Sequence, residues 1–155
     1  MKKSALITVI LLFNCLTFLG QTNKLPIPTK SFIEKAKKSS DMEALYFTKY
    51  LGKKSERVIE RYDSKSVCAK EYEFKTGIRY KTNSCNETSI EAEIIFPNYS
   101  KNDVVKFVEW FFNDGYNKWN KSKTKYQPKE EGEAGCYMEI KEFKGKIILI
   151  YSCSC

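Results

Sequence analysis

The chain has 155 residues, 27 Lys+Arg against 19 Asp+Glu, 42% hydrophobic residues and no histidine. Without an imidazole it can build neither a Ser-His-Asp or Cys-His hydrolytic centre nor a histidine zinc site, because histidine is the usual acid/base group near neutral pH. The length fits one ordinary domain, and the lysine surplus is dispersed, as expected of a solvated surface with some attraction for anionic partners.

The chain opens with Lys2 and Lys3, then an uncharged apolar run from Ala5 to Leu19, then Gly20 before polar sequence. This is the three-part layout of an export signal. Asn14 and Thr17 interrupt the run, which is short for a bilayer-spanning helix of roughly 20 residues. The reading is therefore a signal peptide over 1–20, cleaved between Gly20 and Gln21, a flexible lead over 21–30 marked by Pro26 and Pro28, and one domain over 31–155. Loss of Lys2 and Lys3 lowers the basic count from 27 to 25 against 19 acidic residues, a net charge of +6. A secreted or periplasmic protein is expected, with no membrane span after cleavage. Nucleic acid is not an expected partner.

Within the domain, Ser31 with Glu34 and Ser40 with Glu43 have the spacing that opens helices. The second of these carries Met42, Leu45, Phe47 and Leu51 before Gly52 stops it. A strand follows over Arg57–Tyr62, then a cysteine-bounded segment from Cys68 to Cys85. Alternating Ile90, Ala92, Ile94 and Phe96 predict a strand that Pro97 ends. Ser100 with Asp103 forms a capping-box pattern before Val104, Val105, Phe107, Val108, Trp110, Phe111 and Phe112, and Asn113-Asp114-Gly115 closes that helix. Next come a strand over Tyr116–Tyr126, a surface loop over Gln127–Gly135 and a second cysteine-bounded segment from Cys136 to Cys153.

The two bounded segments, CAKEYEFKTGIRYKTNSC and CYMEIKEFKGKIILIYSC, each enclose 16 residues and lie 68 residues apart. Aligned without gaps they share both cysteines, Glu71 with Glu139, Gly77 with Gly145, and Ser84 with Ser152. Each reads as a hairpin with a two-residue turn, Thr76-Gly77 and Lys144-Gly145, where glycine accepts the positive φ such turns need. Lys75 then faces Ile78 and Phe143 faces Lys146, and counting outward sets Cys68 opposite Cys85 and Cys136 opposite Cys153. Facing Cα atoms at non-hydrogen-bonded positions approach to about 4.5 Å, inside the range a disulfide spans. Bridges Cys68–Cys85 and Cys136–Cys153 follow, with crossed pairing between the halves as the alternative. Cys155 is left over, either free, replacing Cys153 opposite Cys136, or linking chains. In the second hairpin Met138, Ile140, Ile147, Leu149 and Tyr151 share the cysteine side, which should face the core; in the first, Lys70, Lys81 and Asn83 do, which leaves its placement open.

The fold expected is α+β: a duplicated helix-plus-antiparallel-sheet layout, half-repeats about 31–97 and 98–155, with helices on one sheet face and disulfide-clipped hairpins. Its helix-then-strands order, met twice, resembles the β-lactamase inhibitory proteins, which bind an enzyme across a concave sheet. The resemblance implies an architecture and carries over no binding residue.

For function the residues offer a candidate recognition surface rather than a reaction. Tyr116, Trp119 and Tyr126 stand among Lys121, Lys123 and other lysines on one predicted strand, a strip suited to stacking on sugars or packing on a protein. Glu130 and Glu131 add an acidic loop tip, whose spacing lacks the alternating oxygen ligands of a calcium loop. Cys155 lacks a base to activate it, and a single residue separates it from Cys153 instead of the two of a thioredoxin-like motif. No catalytic residue, metal ligand or cofactor is expected. The leading expectation is an exported non-catalytic binding module, an inhibitor or envelope-associated protein whose partner is another protein or an envelope polymer. The alternatives are a carbohydrate or small-ligand binder and a small carboxylate- or thiol-dependent enzyme. The acceptor patterns Asn86-Glu87-Thr88, Asn98-Tyr99-Ser100 and Asn120-Lys121-Ser122 complete the sequence-level signals.

Overall fold

The computed structural model describes residues 23–62, 65–86, 88–130 and 132–154. The expected export signal, Glu131 and Cys155 lie outside the described residues. Among those described, three helices, α1 (Lys30–Ala36), α2 (Met42–Leu51) and α3 (Lys101–Phe112), accompany eight strands. The strands are β1 (Lys53–Arg61), β2 (Val67–Phe74), β3 (Arg79–Asn83), β4 (Ser89–Pro97), β5 (Asn117–Trp119), β6 (Lys125–Pro128), β7 (Cys136–Phe143) and β8 (Lys146–Ser154). They form one antiparallel sheet in the order β1-β2-β3-β4-β8-β7-β6-β5. The α+β class is as read, with sheet predominating.

Helix α3 begins as its sequence dictates. The Ser100 side chain accepts from the Asp103 backbone N–H, and the Asp103 carboxylate accepts from the Ser100 N–H at 3.2 Å, a closed capping box. The other two helices start differently from expectation. Thr29, not Ser31, caps α1, its Oγ1 accepting from Phe32 N at 3.3 Å. At α2 the N-cap is Asp41, and Glu43 turns away from the helix end into the core. Leu45 is consequently solvent-facing, while Glu43, Ala44, Tyr46 and Phe47 form the buried stripe.

The core lies between these helices and one face of the sheet. Phe47 of α2 stacks on Phe107 of α3 at 5.2 Å, and both touch Phe96 of β4. Phe47 also meets Phe74 of β2, and Phe112 meets Tyr151 of β8. Helix α1 packs onto α2 through Phe32 and Tyr50, whose rings meet edge-on at 5.4 Å. Such aromatic pairs add about 0.5–1.5 kcal/mol each beyond their burial. Residues expected to form a flexible lead carry tertiary contacts instead: Asn23 N donates to Asn98 O at 2.7 Å, Leu25 is buried, and Pro26 O accepts from Tyr46 Oη.

Both predicted disulfides are present, Cys68–Cys85 with Cα atoms 4.8 Å apart and Cys136–Cys153 at 4.0 Å. Two intramolecular bridges fit an oxidising, extracytoplasmic environment. The second hairpin has the predicted register, with Phe143 opposite Lys146 and Cys136 opposite Cys153 around a Lys144-Gly145 turn, both of whose residues have positive φ (49° and 71°). Met138, Ile140, Ile147, Leu149 and Tyr151 are all buried, as their cysteine-side placement implied.

The first hairpin differs by one residue. Its loop is Lys75-Thr76-Gly77, closed by Phe74 N to Ile78 O at 3.0 Å and Gly77 N to Phe74 O at 2.9 Å, and Tyr72 pairs with Tyr80. A one-residue slip exchanges the faces of a strand. Lys81 and Asn83, expected on the cysteine side, therefore point away from it, while Tyr80 joins Tyr72 in the core. Cys68 faces Ser84 rather than Cys85: its carbonyl accepts from Ser84 N and Ser84 Oγ, and Asn83 Oδ1 draws in Cys85 N at 2.9 Å. Cys85 thus reaches the bridge from just beyond the strand end.

The two clipped hairpins also hold unequal places. One comprises the second and third strands after its helix, the other the third and fourth. The duplicated layout therefore does not follow from their sequence likeness.

Candidate functional site

The predicted strand over Tyr116–Tyr126 is two short strands, and the reason is Asn120. Its Oδ1 accepts from Thr124 N at 2.8 Å and Lys125 N at 3.1 Å, which folds the chain back on itself. Trp119 then pairs with Tyr126, ring centroids 4.9 Å apart. Tyr126 is buried, its hydroxyl donating to Phe112 O at 3.3 Å. Tyr116 is 57% exposed, Lys121 and Glu130 are exposed, and Lys123 reaches Glu109 at 3.4 Å. The aromatic-cationic strip thus divides into a core pair and scattered surface groups.

Alternation along the strands builds a different surface. Because Lys81 pairs with Glu93, Glu93 with Ile150, Ile150 with Glu139, and Glu139 with Lys125, these five side chains form one row across β3, β4, β8, β7 and β6. The row lies on the face opposite the helices, since its neighbours one residue along each strand are the core residues Tyr80, Ile94, Leu149, Ile140 and Tyr126. Beside it on the same face run Arg79, Ile95, Ile148 and Lys141 on one flank, and Asn83, Glu91, Ser152 and Tyr137 on the other. The row and its Glu91 flank line a groove of about 620 Å³ whose far wall holds Gln127.

Its chemistry is mixed. Ile95, Ile148 and Ile150 supply a half-buried apolar strip along the two central strands, and Tyr137 is 39% exposed with its hydroxyl donating to Glu133 O at 2.8 Å. Glu139 pairs with Lys141 at 3.1 Å. Glu91, Glu93, Lys81 and Lys125 make no ion pair within the described residues. Farther along the same face, Lys54 pairs with Glu73 at 2.7 Å and Arg57 with Glu71. Strand β1 is exposed along its whole length, and Lys53, at 2.7 Å from Glu56, lowers that carboxyl's pKa by hydrogen bonding, with Lys70 adding to it.

A second polar cluster lies inside. The Glu43 carboxyl accepts from Tyr151 Oη at 2.5 Å on Oε1 and from Tyr80 Oη at 3.4 Å on Oε2. Burial raises its pKa above 4.5, against the lowering effect of those hydrogen bonds. Burial likewise raises both tyrosines, with the Glu43 charge next in importance. This cluster ties α2 to β3 and β8. Among the described residues there is no grouping of three His, Cys, Asp or Glu side chains able to hold a metal ion.

A smaller cavity of about 340 Å³ opens beside Met42, Phe111, Phe112 and Tyr116, next to Cys136. No helix among the described residues is long and apolar enough to cross a membrane. Comparison with protein-family models, curated proteins and solved structures gave no match to the chain.

Proposed function

We propose that the chain is an exported, non-catalytic binding module, of the inhibitor or envelope-associated kind, whose contact surface is the face of its sheet opposite α1, α2 and α3. One observation carries this reading: the groove of about 620 Å³ is assembled from five neighbouring strands with no helix of the described residues over it, and an apolar strip runs beside its charged groups. Apolar anchors bordered by polar groups are the composition of protein interfaces. Export is supported by the signal-like 1–20 segment and by the two disulfides.

A duplication is part of the same reading, at the level of strand order. Helices α2 and α3 are each followed by four strands, and the two sets meet through their last members, β4 and β8. The half-repeats about 31–97 and 98–155 would then share one plan that the hairpin likeness crosses out of phase.

A carbohydrate-binding reading is favoured by the amide and hydroxyl groups of Asn83, Gln127, Ser152 and Tyr137 along the groove. Photo-crosslinking separates these readings. A benzophenone side chain at Ser152, in the groove, should capture a protein partner in extracts of the source cell envelope, whereas one at Lys38, beyond α1, should not. Capture from Lys38 alone, or turnover of a hydrolase substrate that Glu93→Gln abolishes, would refute the proposal.

A further inference from the structure

We propose that the groove receives a protruding loop of another protein, with a lysine or arginine seated between Glu93 and Glu139 and acidic groups reaching Lys81 and Lys125. This deepens the outer-face reading and rests on it. The row Lys81–Glu93–Ile150–Glu139–Lys125 is ordered as cation, anion, apolar, anion, cation. Adjacent strands lie about 4.8 Å apart, so the two glutamates stand about 10 Å apart over Ile150 and the two lysines about 19 Å apart. A guanidinium or ammonium group above Ile150 lies between the carboxylates, and its apolar stem rests on the Ile95, Ile148 and Ile150 strip.

The charges are available for a partner. Glu93 and Lys81 are neighbours on adjacent strands yet form no ion pair with each other, and among the described residues Glu91, two residues along β4 on the same face, has no ion-pair partner either. Only Glu139 is engaged, with Lys141, in a pair whose side chains are 43% and 52% exposed. Exposed pairs of that kind are worth about 0–1 kcal/mol and exchange readily. On a chain whose surplus is basic, three carboxylates gathered in one groove favour a cationic visitor.

Other occupants fit less well. An anionic polymer would meet Glu91, Glu93 and Glu139 along the floor. A second copy, docked face to face about a two-fold axis through Ile150 along or across the strands, would set glutamate against glutamate and lysine against lysine. A loop can insert a single tip into the groove, where a flat partner face would leave the floor carboxylates desolvated and unpaired.

The test is to pan a phage-displayed library of disulfide-closed random loops on the oxidised protein, then map the selected loops by amide chemical-shift changes. The expected result is enrichment of loops with a central lysine or arginine flanked by acidic residues, with shifts on β3, β4, β8 and β7. Replacing both carboxylates, Glu93→Gln with Glu139→Gln, should weaken their Kd by about tenfold or more. Glu93→Lys should abolish binding, and exchanging the loop's cation for glutamate should restore it. Loops that map to this face but are acidic or indifferent to those substitutions would overturn the charge assignment and leave the outer-face reading standing. Loops that map to the helix side would overturn both. Saturable binding of polygalacturonate to the groove would overturn the protein-loop occupant in favour of an anionic polymer.

Discussion

Two rows of side chains cross the same strands one residue apart, and they have opposite characters. Tyr80, Ile94, Leu149 and Ile140 face the helices and are each no more than 5% exposed. Lys81, Glu93, Ile150 and Glu139 face away, and three of the four are charged. The inner row belongs to one buried cluster with Phe47 and Phe107. The outer row carries an apolar strip bordered by charge, with none of the described residues built over it. The contrast teaches that period-2 alternation makes both surfaces at once, and that the surface left bare is the one free to bind.

Breaking each face should have unequal consequences. Phe47→Ala, in the middle of the aromatic cluster, should cost about 3–5 kcal/mol in urea unfolding, because it leaves a cavity the helices cannot close. Tyr137→Ala on the outer face should cost under about 1 kcal/mol, and equal losses would erase the distinction between faces. Removing the bridge at the end of the central hairpin, Cys136→Ser with Cys153→Ser, should cost about 3 kcal/mol, given the separation of 17 residues. A melting temperature unchanged by reduction would show that bridge to be dispensable.

The pH response sharpens the comparison further, since the inner face holds the one buried carboxyl among the described residues. The pKa of Glu43 is raised in the folded protein, so above 4.5 the unfolded chain holds fewer protons there than the native one. Its contribution is fully present below that value and lost as pH rises toward the folded pKa, at up to about 1.4 kcal/mol per pH unit. Glu43→Gln should flatten this slope in urea unfolding measured from pH 4.5 upward. The smallest effect is expected at the rim: Arg57→Ala, breaking an exposed pair with Glu71, should change stability by less than about 1 kcal/mol.

What could be read from the sequence was local. The Ser100–Asp103 box and the Lys144-Gly145 turn each lie within four residues, and both are present as read. Gly77 is compatible with a two-residue or a three-residue loop, and the choice was settled by the core. Only the three-residue loop sets Tyr80 beside Tyr72, their rings stacked at 5.6 Å. The alternation Tyr72, Phe74 against Ile78, Tyr80 was the available signal for it. Ser40–Glu43 has the spacing of a cap, yet Glu43 is held by Tyr80 and Tyr151, 37 and 108 residues away, contacts no local pattern encodes. The groove was missed for the same reason. Its row takes one residue from each of five strands, and only the strand order joins them.

Substituting aspartate at two adjacent residues of β8 separates the buried face from the open one, through thermal melts of Leu149→Asp and Ile150→Asp followed by near-ultraviolet circular dichroism. Leu149 is fully buried beneath the helices and Ile150 lies in the open groove. Leu149→Asp should abolish the cooperative melt, and Ile150→Asp should melt within a few degrees of the parent protein. If Ile150→Asp also lost its folded signal, the outer face would be core, and the binding surface proposed for it would not exist.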